Sequence, residues 1–319
     1  MRGKAPSQQM TFLVLFRVSL ALLLGCSMVY TMSLFRMADD GEVRLRKASE
    51  IASRRIQAAS FADAVDYLET VDLHAGPVYI LVMSGKSDGD YWCGDCRNAK
   101  APIADAFAKA PSAARLLEVS VGSPDQWRDV HNSFRTDNLL RIGHIPALLQ
   151  YEGNMRTSRL LLEKFAADPE LLEDLFHVPE PLVAASGARI QAVDKASDMV
   201  AILTAYDSSY PLYLFFISGT DPDTGRLWCP HCDSSKVPVE YYFTHYAPSN
   251  AVMLKITTAD TYEAWQDKNN PFIAQSFVKI GGLPALMRAV PHSQPKLLFE
   301  EYPHFFEDRS RLVQFYAAA

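Results

Sequence analysis

The chain has 319 residues and a formal net charge of -6, with 49% apolar and 21% charged residues. That balance is ordinary for a globular protein, and the length suggests about two domains. Basic residues are dispersed along an acidic chain, which excludes a nucleic-acid binder that works through a basic face.

Arg2, Lys4 and Arg17 precede an uncharged run from Val18 to Phe35, and the apolar stretch as a whole spans roughly Thr11–Phe35. Its length approaches the ~20 residues a helix needs to cross a bilayer. The expectation is a transmembrane signal anchor over residues 1–36, with a cleaved signal peptide as the alternative. Leu23-Leu24-Gly25-Cys26 is a poor lipoprotein box, and Cys26 reads as a small apolar residue of the span or an acylation site. Lysine and arginine are nearly balanced across the span, so the positive-inside rule does not fix orientation. The expected location is a single-pass membrane protein with its C-terminal part extracytoplasmic or in the secretory lumen, and a cytosol-facing arrangement is the alternative. Residues 37–53 are rich in charge and alanine and read as a helical stem.

Beyond the stem the chain repeats itself. Four of the five cysteines lie in Trp92-Cys93-Gly94-Asp95-Cys96 and Trp228-Cys229-Pro230-His231-Cys232. Arg55-Ile56-Gln57-Ala58 returns as Arg189-Ile190-Gln191-Ala192, and Ser84-Gly85 as Ser218-Gly219. Trp127, Asn132 and Phe134 return as Trp265, Asn270 and Phe272. Ile142-Gly143-His144-Ile145-Pro146-Ala147-Leu148 returns as Ile280-Gly281-Gly282-Leu283-Pro284-Ala285-Leu286. Landmarks in one order with small insertions indicate two tandem copies of one domain, not a solenoid. The predicted boundaries are 54–178 for the first domain, 179–187 for a Pro/Ser/Gly linker, and 188–316 for the second.

Each copy predicts the same elements in order. A strand covers Arg55–Ala58 or Arg189–Val193, and a helix covers Phe61–Val71 or Lys195–Tyr206. Met199, Ile202, Leu203 and Tyr206 give the latter an amphipathic stripe. Val78–Met83 and Tyr213–Ile217 are continuous apolar runs, as a buried central strand requires. A polar loop leads to Trp-Cys, and a helix is predicted from the first cysteine. Strands follow at Leu116–Val121 or Val252–Ile256, at Ala147–Tyr151 or Ala285–Val290, and at Ser158–Glu163 or Lys296–Glu300. Helices Pro169–Phe176 and Phe305–Phe315 close the copies. The fold class is α/β, a central mixed sheet flanked by helices, twice.

On these residues each copy resembles the thioredoxin domain-containing protein 17 family, small thioredoxin-related proteins with a Trp-Cys-Pro-Asp-Cys site. The resemblance implies two tandem thioredoxin-like domains, and cis peptide bonds at Ile145-Pro146 and Leu283-Pro284. A cis proline beside the sulfurs would expose a backbone edge for an extended substrate. The copies depart from the motif in opposite ways: the first keeps Asp95 but has Gly94, and the second keeps Pro230 but has His231. The helix proline common in thioredoxins stands one residue later than usual, as Pro102 and Pro238.

The chemistry expected of Cys93, Cys96, Cys229 and Cys232 is thiol–disulfide exchange. A cysteine at a helix N-terminus is acidified by backbone N–H groups and the helix dipole, which makes Cys93 and Cys229 the nucleophiles. Cys96 and Cys232 would resolve the mixed disulfide. Asp95 is expected to oppose the Cys93 thiolate and the His231 side chain to stabilise that of Cys229, leaving the second site more oxidising. Trp92, Trp228, Ile145, Pro146, Leu283 and Pro284 are expected to shape the sites or touch substrate. Trp127 and Trp265 read as packing, and His144 as a neighbour of the first site. A zinc site is disfavoured because each Cys-x-x-Cys has its own tryptophan and proline partner. The expected function is a protein-disulfide reductase acting on protein or small disulfides, with no bound cofactor. It would be recycled by a thioredoxin-reductase-like or other thiol donor, since no nucleotide-binding glycine motif is present. A lumenal oxidase or isomerase, and a redox-inactive thioredoxin-fold binding module, are the competing readings.

Overall fold

A computed structural model of the protein describes residues 42–177, 189–292, 297–303, 306 and 308–317. The chain divides into two compact units, Met1–Arg54 and Arg55–Ala319. In the first unit, residues 42–53 form a helix (α1). Val43 and Leu45 on it are exposed, beside the exposed pair Arg46–Glu42. Such a surface suits water.

The expected membrane placement is corrected. Among the described residues no helix is long and apolar enough to cross a membrane. The apolar run 11–35 and the linker 179–187 lie outside the described residues.

The second unit holds two five-stranded mixed sheets built alike. The first runs β1 (Arg55–Ala58), α2 (Phe61–Thr70), β2 (Val78–Met83), a small hairpin β3 (Lys86–Ser87) and β4 (Asp90–Tyr91), and α3 (Gly94–Phe107). It continues with β5 (Arg115–Ser120), the short helices α4 (Pro124–Arg128) and α5 (Ser133–Thr136), β6 (Ala147–Gly153), β7 (Arg156–Leu162) and α6 (Pro169–Phe176). The sheet order is β1-β5-β2-β6-β7, with β1, β5 and β2 parallel and β6 and β7 antiparallel.

The second copy repeats the order with β8 (Arg189–Val193), α7 (Ala196–Ala205), β9 (Leu212–Ile217), α8 (Pro230–Tyr246), β10 (Val252–Thr257), α9 (Tyr262–Gln266), α10 (Pro271–Ala274), β11 (Ala285–Pro291), β12 (Leu297–Glu301) and α11 (Arg309–Ala317). Its sheet order is β12-β11-β9-β10-β8.

The central strands explain the apolar runs. Every residue of β2 and β9 is buried, because helices cover both faces. Alternation then assigns the faces: Leu212, Leu214 and Phe216 pack with Met199 and Leu203 of α7, whereas the Tyr213 ring lies 5.6 Å from Phe243 of α8 and 5.4 Å from Tyr316 of α11. The Tyr213 hydroxyl donates to the Tyr316 carbonyl at 2.9 Å, and Tyr79 donates to Phe176 at 3.4 Å in the first copy. Each closing helix is thus tied to its central strand by one tyrosine, which satisfies a buried hydroxyl.

Several predicted bounds shift. The last helix begins at Arg309 rather than Phe305. The strand expected at Ser158–Glu163 is Arg156–Leu162, and Glu163, with φ 49°, opens a 3-10 turn instead. The short helices α4, α5, α9 and α10 and the β3–β4 hairpin were not expected. They are too short for a periodic signal, and Asn132 and Asn270 mark α5 and α10 by capping the Phe134 and Phe272 N–H groups.

Candidate active sites

In both copies the chain leaves the central strand, makes one backbone-tethered loop and enters a long helix at the cysteine pair. Ser84 Oγ accepts from the Cys93 N–H at 3.3 Å, and Ser218 Oγ from the Cys229 N–H at 3.2 Å. The next residue must be glycine. A Cβ on Gly85 would lie 2.5 Å from the Gly122 carbonyl oxygen, and one on Gly219 would lie 2.7 Å from the Asp260 Cα. The Gly85 and Gly219 N–H groups donate to Gly122 and Ala259 at 2.9 and 2.7 Å. This explains the repeated Ser-Gly pair in physical terms.

Cys93 and Cys229 are the N-cap residues of α3 and α8, and their sulfurs accept from the Cys96 and Cys232 N–H groups at 3.4 and 3.3 Å. All four are free thiols, with Cys96 and Cys232 fully buried. The Ile145-Pro146 and Leu283-Pro284 peptides are cis, as the family resemblance implies. The Ile145 carbonyl accepts from the Cys93 thiol at 3.5 Å, and that of Leu283 from the Cys229 thiol at 3.8 Å. Each cysteine pair is therefore brought together with its own proline loop.

The tryptophans are anchored rather than free. Trp92 Nε1 donates to the Gly122 carbonyl at 2.8 Å and Trp228 Nε1 to that of Ala259 at 2.9 Å. Trp265 is buried, and Trp127, partly exposed, lies under the Arg135 guanidinium at 5.4 Å. Asp95 sits half-buried in the first turn of α3.

The thiols differ in acidity. The Cys229 pKa falls to about 7, first through the hydrogen bond from the Cys232 thiol, then through the backbone N–H groups of Cys232 and His231, with burial and Asp233 opposing. Burial is the main cause that pushes Cys96 up to about 12 and raises Cys232 further still. The expected source of stabilisation is revised: His231 acts through its main-chain N–H at the helix N-terminus, while its side chain is exposed.

Sequence reading missed a clasp that joins the copies at the second site. Arg226, 3% exposed, donates through Nε to Asp233 at 2.7 Å and through a second nitrogen to the Leu140 carbonyl of the first copy. Arg141 answers it, donating at 2.8 Å to the Leu227 carbonyl in the second copy. Around this pair, Arg156 donates to the Pro222 carbonyl at 2.8 Å and the Tyr242 hydroxyl to Asp168 at 2.8 Å. The clasp links the segment leading to Cys229 with the segment leading to Pro146. The corresponding first-copy positions, Asp90 and Arg97, carry the opposite charges, but Arg97 is exposed and donates to the Tyr91 and Trp92 carbonyls.

The architecture is that of a thioredoxin-like protein, present twice in one chain. The chain belongs to the thioredoxin domain-containing protein 17-like family, whose thioredoxin-domain pattern matches residues 57–178 and 191–302. It is similar to the thioredoxin-like protein Clot of Arabidopsis thaliana, with 29% identity over 76 residues, 24% of this chain and 55% of that protein. The corresponding protein of Oryza sativa subsp. japonica is 31% identical over 78 residues, 23% of this chain and 56% of that protein. The chain thus spans about half the length of these curated relatives. Among solved structures, oxidised thioredoxin O1 of Arabidopsis thaliana is 17% identical, with 38% of this chain and 93% of that chain aligned at a TM-score of 0.27. The first two thioredoxin domains of Naumovozyma dairenensis Eps1p are 12% identical, with 82% of this chain and 95% of that chain aligned at a TM-score of 0.28.

Proposed function

We propose that this chain is a thiol–disulfide oxidoreductase that reduces protein disulfides through two dithiols, each served by its own domain (residues 54–178 and 188–316). One observation carries the reading: a helix-capping thiol acidified to about 7 stands beside a buried, strongly protonated partner. That division of labour suits exchange chemistry, in which a thiolate attacks and a second thiol waits.

In the forward step Cys229 Sγ attacks one sulfur of the substrate disulfide. The substrate S–S bond breaks, a Cys229–substrate mixed disulfide forms, and the departing sulfur takes a proton. Cys232 then loses its proton and attacks Cys229 Sγ. The second substrate thiol leaves, two electrons have passed to the substrate, and the Cys229–Cys232 disulfide remains. Cys93 and Cys96 act in the same way in the first site. No resident cofactor takes part, and an external thiol donor returns the two electrons.

The second site is the more oxidising of the two. Stabilising a thiolate favours the reduced form of its pair and raises its potential. Insulin reduction driven by a dithiol donor tests the function. The protein should accelerate precipitation of the freed insulin chains, and the Cys93→Ser/Cys229→Ser double variant should fall to the rate of the donor alone. Equal acceleration by the double variant would leave a scaffold that binds peptides without redox chemistry.

A further inference from the structure

The resolving cysteine faces the harder half of each cycle. Cys96 and Cys232 are fully buried, and burial is the main cause that keeps both thiols protonated. Neither sulfur attacks a mixed disulfide until it becomes a thiolate, and a buried anion without donors is unfavourable. Groups that offset this have to lie against the sulfur itself.

One serine in each copy lies there. Ser84 directly follows β2 and Ser218 directly follows β9, and both are buried. The Ser84 main-chain N–H donates to Cys96 Sγ at 3.4 Å. Its hydroxyl has one proton and two acceptors in reach, the Gly85 carbonyl at 3.1 Å and the Cys96 sulfur. The hydroxyl oxygen meanwhile accepts from the Cys93 N–H, which holds it at the start of α3. Against the burial that raises the Cys96 pKa, the Ser84 N–H is the first opposing influence, and the hydroxyl acts in the same direction. Ser218 acts on Cys232 through the same two groups, and its oxygen accepts from the Cys229 N–H. Each serine therefore touches both cysteines of its pair. It accepts from the main chain of the nucleophile and donates to the resolving sulfur.

We propose that Ser84 and Ser218 are catalytic residues of the resolving step, each donating its main-chain N–H and its hydroxyl to the Cys96 or Cys232 sulfur as that sulfur becomes a thiolate. The inference deepens the oxidoreductase reading and rests on it. In the first site the Cys96 thiol gives up its proton, which ends on the departing substrate sulfur. A Cys93–Cys96 bond forms as the Cys93–substrate bond breaks, and the substrate disulfide ends as two thiols, reduced by two electrons. The serine keeps its own proton throughout. Its N–H is in place before the charge appears, and its hydroxyl needs only a turn about the C–O bond to leave the Gly85 carbonyl for the sulfur.

Stopped-flow reaction of the reduced full chain with substoichiometric dithiobis-nitrobenzoate, a chromogenic disulfide, separates the two half-steps. In a Cys229→Ser/Cys232→Ser background, attack by Cys93 frees one aryl thiolate and resolution by Cys96 frees the second. With this probe the Cys96 proton passes to the buffer, because the aryl thiolate stays ionised. Ser84→Ala should slow the second release about tenfold, the loss expected of one hydrogen bond to a charged group, and leave the first nearly unaltered. Ser218→Ala in a Cys93→Ser/Cys96→Ser background should do the same, with the Cys229 alkylation midpoint still near pH 7. A serine that only tethers the nucleophile's N–H would slow both releases alike. That result, or an unaltered second release, overturns the proposal. A chain with its serine intact that gives no second release refutes dithiol exchange itself, and the serine's role with it.

Discussion

Arg226→Met should destabilise the second domain by about 3–5 kcal/mol, the usual cost of stripping one partner from a buried ion pair. Arg226 is 3% exposed and Asp233 8% exposed, and the guanidinium also satisfies the Leu140 carbonyl. The variant leaves a carboxylate buried beside the Leu227 N–H, which it accepts at 3.3 Å, and no cation to balance it. Denaturant unfolding read at the tryptophans measures the loss, with each transition fitted separately because two domains need not unfold together. Replacing both members, as Arg226→Met/Asp233→Leu, should cost less than Arg226→Met alone, because no buried charge is then left unpaired. A loss below about 1 kcal/mol for Arg226→Met would place the pair among ordinary surface ion pairs and contradict the clasp.

The second large effect concerns Cys229. With a pKa of about 7 the thiol is half ionised at neutral pH, whereas an ordinary thiol near 8.5 is ionised to only about 3%. A more acidic thiolate is intrinsically less nucleophilic, so the net advantage in alkylation is about threefold at pH 7 and about sixfold at pH 6. The midpoint is the cleaner observable, because steric access scales the rate without moving it. Alkylation of Cys229, followed by mass mapping in a Cys93→Ser/Cys96→Ser background, should rise with a midpoint near pH 7. The sign of each neighbour is fixed: Asp233 raises the Cys229 pKa. Asp233→Asn should therefore lower the midpoint, and Arg226→Met should raise it by leaving Asp233 uncompensated. A midpoint at or above about 8.5 would remove the basis for an acidic nucleophile.

Much of this arrangement was legible in the residues. The duplicated Trp-Cys-x-x-Cys, Ser-Gly and hydrophobe-Pro landmarks fixed two copies of one α/β fold, because each landmark has a local physical cause. The serine caps a cysteine N–H, the glycine admits a neighbouring backbone, and the apolar run fills a strand covered on both faces. The clasp was not legible, since Arg226 and Leu140 meet only through tertiary packing and neither belongs to a periodic pattern. One signal was available: Arg226 and Asp233 hold charges opposite to those of Asp90 and Arg97 at the same distances from their cysteines. His144 was read as a neighbour of its own proline loop, and its contact with Glu163 could not be read from sequence distance. His231 was credited for its side chain, whereas the Cys232 thiol is the first cause of the acidified Cys229 and the main-chain N–H groups of Cys232 and His231 follow. The α4, α5, α9 and α10 turns escaped because four or five residues are too few to show a period.

The central proposal is that one chain holds two thioredoxin-like dithiols and that the second carries the acidified Cys229 thiol. Redox titration of each dithiol in isolation, with the other pair changed to serine, tests it most directly. The account predicts a higher potential for Cys229–Cys232 than for Cys93–Cys96, each 30 mV of difference being worth about 1.4 kcal/mol. A second-site potential equal to or below the first would contradict it.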